Sequence, residues 1–157
     1  FENTKKQVMP SIFNAADNQM MIDRIEKLTP ESQALWGKMN VNQMLRHCKL
    51  AGDVAFGIQD LKINFAMKLL GKLLKNKVFY GGDLKKNSPT AREFIITEIP
   101  DFEIAQSELI ANFKRLINEG TACVKNLDHP FWGKLSYEDW DALMWKHTDH
   151  HLKQFGV

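Results

Sequence analysis

Apolar residues recur at helical spacing along five stretches of this chain of 157 residues, and this periodicity limits the fold more than any other feature. The stretches cover residues 15–28, 40–56, 62–76, 102–118 and 136 onward, separated by turn-forming Thr29-Pro30, Gly57 and Gly120. We expect an all-α fold: a four-helix bundle with an extra helix and long crossover connections.

Polar residues indicate where these helices begin. Asp17 is the expected N-cap of the first helix and Asn40 that of the second. Ser136 followed by Asp139 resembles a capping box with Asp in place of Glu, which predicts the start of the last helix. Residues 1–14 are expected to form an extended arm, and residues 78–100 a long connection with a short extended piece at 94–96.

The third stretch is basic as well as apolar, with five lysines at positions 62, 68, 72, 75 and 77. One interpretation is a helix that contacts a membrane surface or an anionic partner. The other, which we favour from sequence, is a helix whose lysine face is simply solvated.

Size and composition exclude several classes of protein. The length predicts a single domain over residues 1–157 with a sizeable core. With 21 basic and 19 acidic residues the chain is too balanced to predict nucleic-acid binding, and no apolar run of about 18 residues predicts a membrane span. Two cysteines without a C-x-x-C spacing indicate a reducing, cytoplasmic location, although a signal peptide removed before Phe1 stays open.

Histidines on the last predicted helix indicate a metal site. At about 100° per residue, His151 lies at the middle of the apolar stripe defined by Trp140 and Met144, and His147 lies about 40° away. Residues at i and i+4 share a helix face, so this pair could hold one ion. His150 lies about 100° from the middle, at the edge of the stripe.

A third histidine lies on the apolar face of another helix. His47 belongs to the stripe of the second helix with Met44 and Val54. If the two helices are neighbours, His47, His147 and His151 form a three-histidine set with open positions, typical of a catalytic or ligand-binding metal site. The alternative is that these histidines only form hydrogen bonds within the core.

Four other residues are candidates for polar groups around the ligands. Gln43, one turn before His47, could orient a ring or bind a water. His150 lies at the flank of the stripe and could support the ligands. Asp149 and His129 could orient ligands or act in acid–base chemistry, although a capping or solvated-surface role is the interpretation we favour for these two.

Two blocks of the chain resemble the DinB/YfiT-like superfamily of metalloenzymes, in particular a branch of domains of unknown function. They are LTPESQALWGKMNVNQMLRH at residues 28–47 and HPFWGKLSYEDWDALMWKHTDHHLKQFGV at residues 129–157. The resemblance implies an up-down-down-up four-helix bundle in which His47, His147 and His151 hold zinc, nickel or a similar ion. It also implies a homodimer and, for some relatives, thiol-dependent S-transfer that uses a low-molecular-weight thiol.

Three hypotheses of function remain open from the sequence. The first is a divalent-metal-dependent enzyme, an S-transferase or hydrolase, which acts on a small molecule and has no nucleic-acid or membrane partner. The alternative is a non-catalytic metal-binding or stress-response helical module. A helical interaction protein without metal is a third hypothesis.

Overall fold

The computed structural model describes residues 8–157, which are mostly helical. The helices are α1 (Ala15–Glu26), α2 (Val41–Ala55), α3 (Phe65–Tyr80), α4 (Phe102–Glu119) and α5 (Tyr137–Gln154). Two short strands between α4 and α5, β1 (Asp128–His129) and β2 (Gly133–Lys134), pair in antiparallel fashion. The prediction of an all-α fold is therefore confirmed at the level of class, and the small hairpin is an addition to it.

Side-chain caps fix where the helices begin. The Asn40 side chain accepts the backbone N–H of Gln43, and Ser136 accepts that of Asp139, so both predicted starts are confirmed. The predicted cap of α1 is wrong. Asn14 caps α1, and Asp17 lies inside its first turn, where its carboxylate accepts the backbone N–H of Ser11.

The middle of the chain departs most from expectation. Helix α3 begins at Phe65 and continues to Tyr80, which shortens the predicted connection at 78–100. In the piece expected to be extended, 94–96, Phe94 ends a short 3-10 helix, Arg92–Phe94, whereas Ile95 has the extended backbone that was predicted. Of the predicted arm at 1–14, residues 1–7 lie outside the described residues. Farther along the arm, Ile12 is fully buried and its backbone N–H donates to Asp141 of α5.

Helix α2 lies between α4 and α5. Helix α4 packs against α1 and α2, and α5 packs against α2 and α3. Gly52 of α2 allows the close approach of α4, because a Cβ there would lie 2.8 Å from Nδ2 of Asn112. That amide donates to the backbone oxygen of Lys49. The α2–α5 contact is the one that places the candidate site.

The core is apolar and continuous across these helices. Its largest fully buried side chains include Trp140, Phe79 and Phe113. Both cysteines, Cys48 and Cys123, are buried and not joined to each other. No helix within residues 8–157 is long and apolar enough to cross a membrane.

Candidate metal centre

Three histidines from two helices meet between α2 and α5. A ring nitrogen from each of His47, His147 and His151 lies within 4.8 Å of those of the other two. The ring centroids are 4.7 to 4.9 Å apart. Helical periodicity selected these three residues from the sequence, and the structure brings them together. Their role as metal ligands stays a prediction.

The helix geometry accounts for the convergence. His147 and His151 are one turn apart on α5 and therefore share the face that packs on α2. His47 lies in the middle of α2 and is buried, as is His151, whereas His147 is partly buried. The cluster thus lies at the edge of the core rather than on the open surface.

The protonation of His47 follows from its backbone partner. Its Nδ1 lies 3.1 Å from the carbonyl oxygen of Phe94, which can only accept a hydrogen bond. Nδ1 must therefore carry the proton, and Nε2 presents a lone pair. That lone pair faces His147, because the two Nε2 atoms are 2.9 Å apart.

A glutamine fixes the protonation of His151 in the same way. Nδ1 of His151 lies 2.7 Å from Oε1 of Gln154, whose Nε2 donates to the carbonyl oxygen of Trp36 at 2.8 Å. Because the Trp36 oxygen accepts only, the Gln154 amide has one satisfactory orientation. His151 must therefore donate from Nδ1, and its Nε2 is left with a lone pair.

The loop around Gln154 requires a glycine. Gly37 has φ +82°, and a Cβ at this position would lie 2.5 Å from Nε2 of Gln154. The backbone oxygen of Gln154 also accepts the N–H of Leu35 at 2.7 Å. The loop before α2 is thus attached to the end of α5, and this attachment supports the orientation of His151.

His147 completes the set. Since Nε2 of His47 is an acceptor, the 2.9 Å approach of the His147 Nε2 requires either a proton on His147 or a shared cation. The first state is a neutral hydrogen-bonded pair. In the second state the cation is bound by the Nε2 lone pairs of His47 and His147, and the Nε2 of His151 supplies a third.

Burial favours the neutral form of all three rings. It is the largest cause that lowers the pKa of His47, lowers that of His147 well below its usual value, and lowers that of His151 to about 3. Repulsion from neighbouring imidazoles adds to the effect on the pKa of His147 and His151. Neutral imidazole is the form that binds metal ions.

The three side chains fit a divalent ion. An ion–nitrogen distance of about 2.0–2.1 Å keeps the ligand nitrogens of one ion within roughly 4 Å of each other. The observed limit of 4.8 Å therefore requires only a small adjustment of the rings. Three imidazoles suit zinc, nickel, copper or iron, and they leave coordination positions for another ligand.

Gln43 acts on the site indirectly. Its Oε1 accepts the backbone N–H of Asn40 in the capping box, and its Nε2 donates to the carbonyl oxygen of Ile96 at 3.0 Å. It therefore fastens the segment that contains Phe94 to the start of α2. Within residues 8–157, none of the hydrogen bonds of Gln43 reaches a histidine ring.

His150 and Asp149 lie beside the cluster and face other groups. The His150 ring packs at 5.7 Å from the Trp36 ring and 5.1 Å from that of His151. Asp149 pairs with Arg24 at 2.7 Å, which joins α1 to α5, and with Lys153 of its own helix at 2.9 Å. The contacts of Asp149 are thus those of an interhelical ion pair.

His129 lies near the start of α5, in the hairpin. Its Nδ1 accepts the backbone N–H groups of Phe131 at 3.0 Å and Trp132 at 3.2 Å, and its ring packs on Trp140. Burial, as the largest cause, lowers the pKa of His129 to about 4. These contacts describe a residue that shapes the hairpin, and none of them reaches the three-histidine cluster.

Sequence reasoning missed two partners of the cluster. Gln154 could have been found, because it lies three residues after His151 and so shares its helix face. The carbonyl oxygen of Phe94 could not, because every residue carries one and only the tertiary fold brings this one to His47.

Comparisons with known proteins place the chain in a family without assigning it a reaction. No curated protein and no solved structure matches it. One family model does match, over residues 9–156, and so includes all three histidines of the cluster. The chain belongs to that family, described as "Protein of unknown function (DUF1569)".

Proposed function

We propose that this protein binds one divalent metal ion through Nε2 of His47, His147 and His151 and is an enzyme that acts on a small molecule. The observation that carries the proposal is the fixed protonation of two rings. Phe94 and Gln154 hold Nδ1 protons on His47 and His151, so their lone pairs converge beside His147. Ligand histidines in metalloproteins are oriented by partners of this kind.

The ligand set favours catalysis over a purely structural ion. Structural sites are closed by four protein ligands, whereas three histidines leave room for a substrate. A divalent ion in this set would supply Lewis acidity, which lowers the pKa of a thiol or water in an open position. Thiol-dependent S-transfer and hydrolysis of a small molecule are the reactions that this chemistry serves. The protein's contribution is to orient the three rings and keep them neutral.

The resemblance to the DinB/YfiT-like superfamily supports the same proposal. We propose that α1, α2, α4 and α5 correspond to its up-down-down-up four-helix bundle, with α3 as the extra helix. Zinc or nickel would be the ion, and a low-molecular-weight thiol the second cofactor. A homodimer in the cytoplasm is the expected form of the protein.

The metal site is tested by elemental analysis of protein purified without added metal. Wild-type protein should contain about one ion per chain, and His47→Ala and His151→Ala should each lose it. His150→Ala is the matched control, since it removes a histidine from the same turn of α5 and should retain the ion. Unchanged metal content in His47→Ala would show that the ligand assignment is wrong.

The reaction is tested separately on metal-loaded protein. Thiol transfer to small electrophiles and hydrolysis of small esters and amides should depend on the metal and on His47. Stoichiometric metal without turnover of any of these substrates would instead favour a non-catalytic metal-binding module.

A further inference from the structure

Helix α3 exposes apolar side chains as well as lysines. Phe65, Leu69 and Leu73 follow one another at i, i+4 and i+8 and are 82%, 51% and 75% exposed. Leu70 and Leu74 lie beside them and are also exposed. We call these five residues the apolar strip. Large contiguous apolar surfaces of this kind mark interaction sites in soluble proteins.

The inner side of α3 shows why the strip faces outward. Gly71 is buried against the hairpin, where an added Cβ would collide with the carbonyl oxygen of Phe131. Phe79 is the other buried residue of α3, and its ring packs on Trp132 at 5.1 Å. Helix α3 therefore packs through a narrow side around Gly71. This leaves most of the Phe65 and Leu73 side chains, and about half of Leu69, open to solvent.

Two of the lysines lie on the packed side of α3, away from the strip. Lys68 and Lys75 point toward the hairpin side, where they pair with Asp128 at 3.7 Å and Asp139 at 3.2 Å. The carbon chain of Lys72 packs on Gly133 of the hairpin, and Lys72 is nevertheless exposed. Lys62, Lys72 and Lys77 are exposed, in agreement with the solvated lysine face expected from sequence, whereas Lys68 and Lys75 are partly buried. The apolar residues of the strip are exposed beside them, which the sequence did not indicate.

The charge around the strip selects among partners. Residues 61–82 contain five lysines and no acidic residue. Lys62, Lys72 and Lys77 are exposed. Two copies of this chain that paired through α3 would bring these lysines together, and like charges in an interface are unfavourable. The matching partner has an apolar interior, which would take up the strip, and a negatively charged surface layer, which would attract the exposed lysines. A bilayer with anionic headgroups has this structure.

We propose that α3 is an interfacial helix that docks this protein on anionic phospholipid membranes. The apolar strip enters the acyl boundary, and two exposed lysines, Lys72 and Lys77, contact headgroup phosphates. Lys77 lies one turn after Leu73 and so follows the strip along α3. The helix has 16 residues and lies in the plane of the membrane rather than across it. This inference does not rest on the proposed function, because it uses none of the metal-site residues.

The proposal is tested with the full chain and lipid vesicles in a sedimentation assay. Wild-type protein should bind vesicles that contain phosphatidylglycerol, bind vesicles of phosphatidylcholine alone far more weakly, and dissociate as salt is raised. Leu73→Glu places a charge in the strip and should reduce binding at least roughly tenfold. Lys72→Gln and Lys77→Gln should each reduce it roughly fivefold.

Ile99→Glu is the matched control, because Ile99 is 71% exposed and lies outside α3. It should bind like wild type, and circular dichroism should show that both glutamate variants fold. Equal binding to neutral vesicles, or unimpaired binding by Leu73→Glu, overturns the proposal. It is also overturned by light scattering that shows a dimer dissociated by Leu73→Glu, together with no vesicle binding. In that case the strip is an interface between two copies.

Discussion

Individual polar side chains determine what the histidine cluster can do. A neutral imidazole offers one donor and one acceptor, and which nitrogen accepts depends on what the other one meets. In His47 and His151 the answer comes from groups outside the cluster, the carbonyl of Phe94 and the amide of Gln154. The groups around the cluster therefore determine, as much as the histidines themselves, which ring nitrogens have a lone pair available for a metal ion.

Replacement of Gln154 by Ala should weaken metal binding without removing the site. The variant loses the acceptor at 2.7 Å from the His151 Nδ1 and the link to Trp36, so the ring can rotate. Loss of such an orienting group typically lowers metal affinity about 10–100-fold. Competition with a chromophoric chelator measures the affinity.

Gln106→Ala is the matched control for that substitution. Gln106 also donates to a backbone carbonyl, that of Ile25 at 2.9 Å, but it lies on α4. Its loss should leave metal affinity near that of wild type. If both variants weakened the affinity equally, the effect would reflect general destabilisation rather than the orientation of His151.

His129 should make the stability of the metal-free protein depend on pH. Its pKa is about 4 in the folded protein and 6.5 in its ordinary state, so below pH 6.5 the unfolded chain binds a proton that the folded chain excludes. Stability contributed by this residue is therefore present above pH 6.5 and lost as the pH falls toward 4. The full loss is about 3 kcal/mol.

The comparison that isolates this effect is urea unfolding of wild type and His129→Asn in chelator, between pH 6.5 and 4. Asn retains an oxygen that can accept the N–H groups of Phe131 and Trp132 but does not titrate. The buried histidines of the cluster contribute equally to both proteins, so wild type should lose stability more steeply. Parallel curves for the two proteins would contradict the prediction.

At the scale of whole elements, local sequence signals predicted where helices begin better than they predicted which face of a helix is buried. The caps at Asn40 and Ser136 depend on residues three positions apart, so the sequence alone contains them. Which face of α3 is buried depends on Gly71 and the hairpin, more than fifty residues away in the chain. Periodicity shows that a helix has an apolar face but not that this face meets the core.

Gly71→Ala should destabilise the protein although alanine is the better helix former. Alanine gains about 1 kcal/mol of helix propensity. Its methyl group, however, would overlap the backbone oxygen of Phe131, which can move only if the hairpin separates from α3. We expect a net loss of about 1–3 kcal/mol in the free energy of unfolding, measured in urea.

Asn76→Ala on the exposed side of α3 is its control. It changes helix propensity in the same direction without meeting any packed group, and it should be neutral or slightly stabilising. A stabilised Gly71→Ala protein would mean that α3 and the hairpin do not approach as closely as they do here.

For the whole molecule, the histidine cluster and the class of fold were predictable from one pattern, whereas the short elements were not. His47 and the pair on α5 were identifiable because an apolar stripe is a one-dimensional pattern and a buried histidine interrupts it. The class of fold followed from the same pattern. The hairpin at residues 128–134 and the 3-10 helix at Arg92–Phe94 were not identifiable, because each is a few residues long and depends on distant contacts.

A metal ion that joins α2 to α5 should raise the thermal stability of the whole fold. An ion that binds only the folded protein adds about 2.7 kcal/mol to the free energy of unfolding when its free concentration is about 100 times its dissociation constant. At roughly 2–4 °C per kcal/mol for a chain of this length, Tm should rise by roughly 5–10 °C. A strong chelator should abolish the rise in wild-type protein. In His47→Ala the Tm should be the same with ion and with chelator, because two histidines on one turn of α5 no longer connect the two helices. A wild-type Tm that responds to neither would show that the cluster is a hydrogen-bonded core group, since a bound ion stabilises the folded state by thermodynamic necessity.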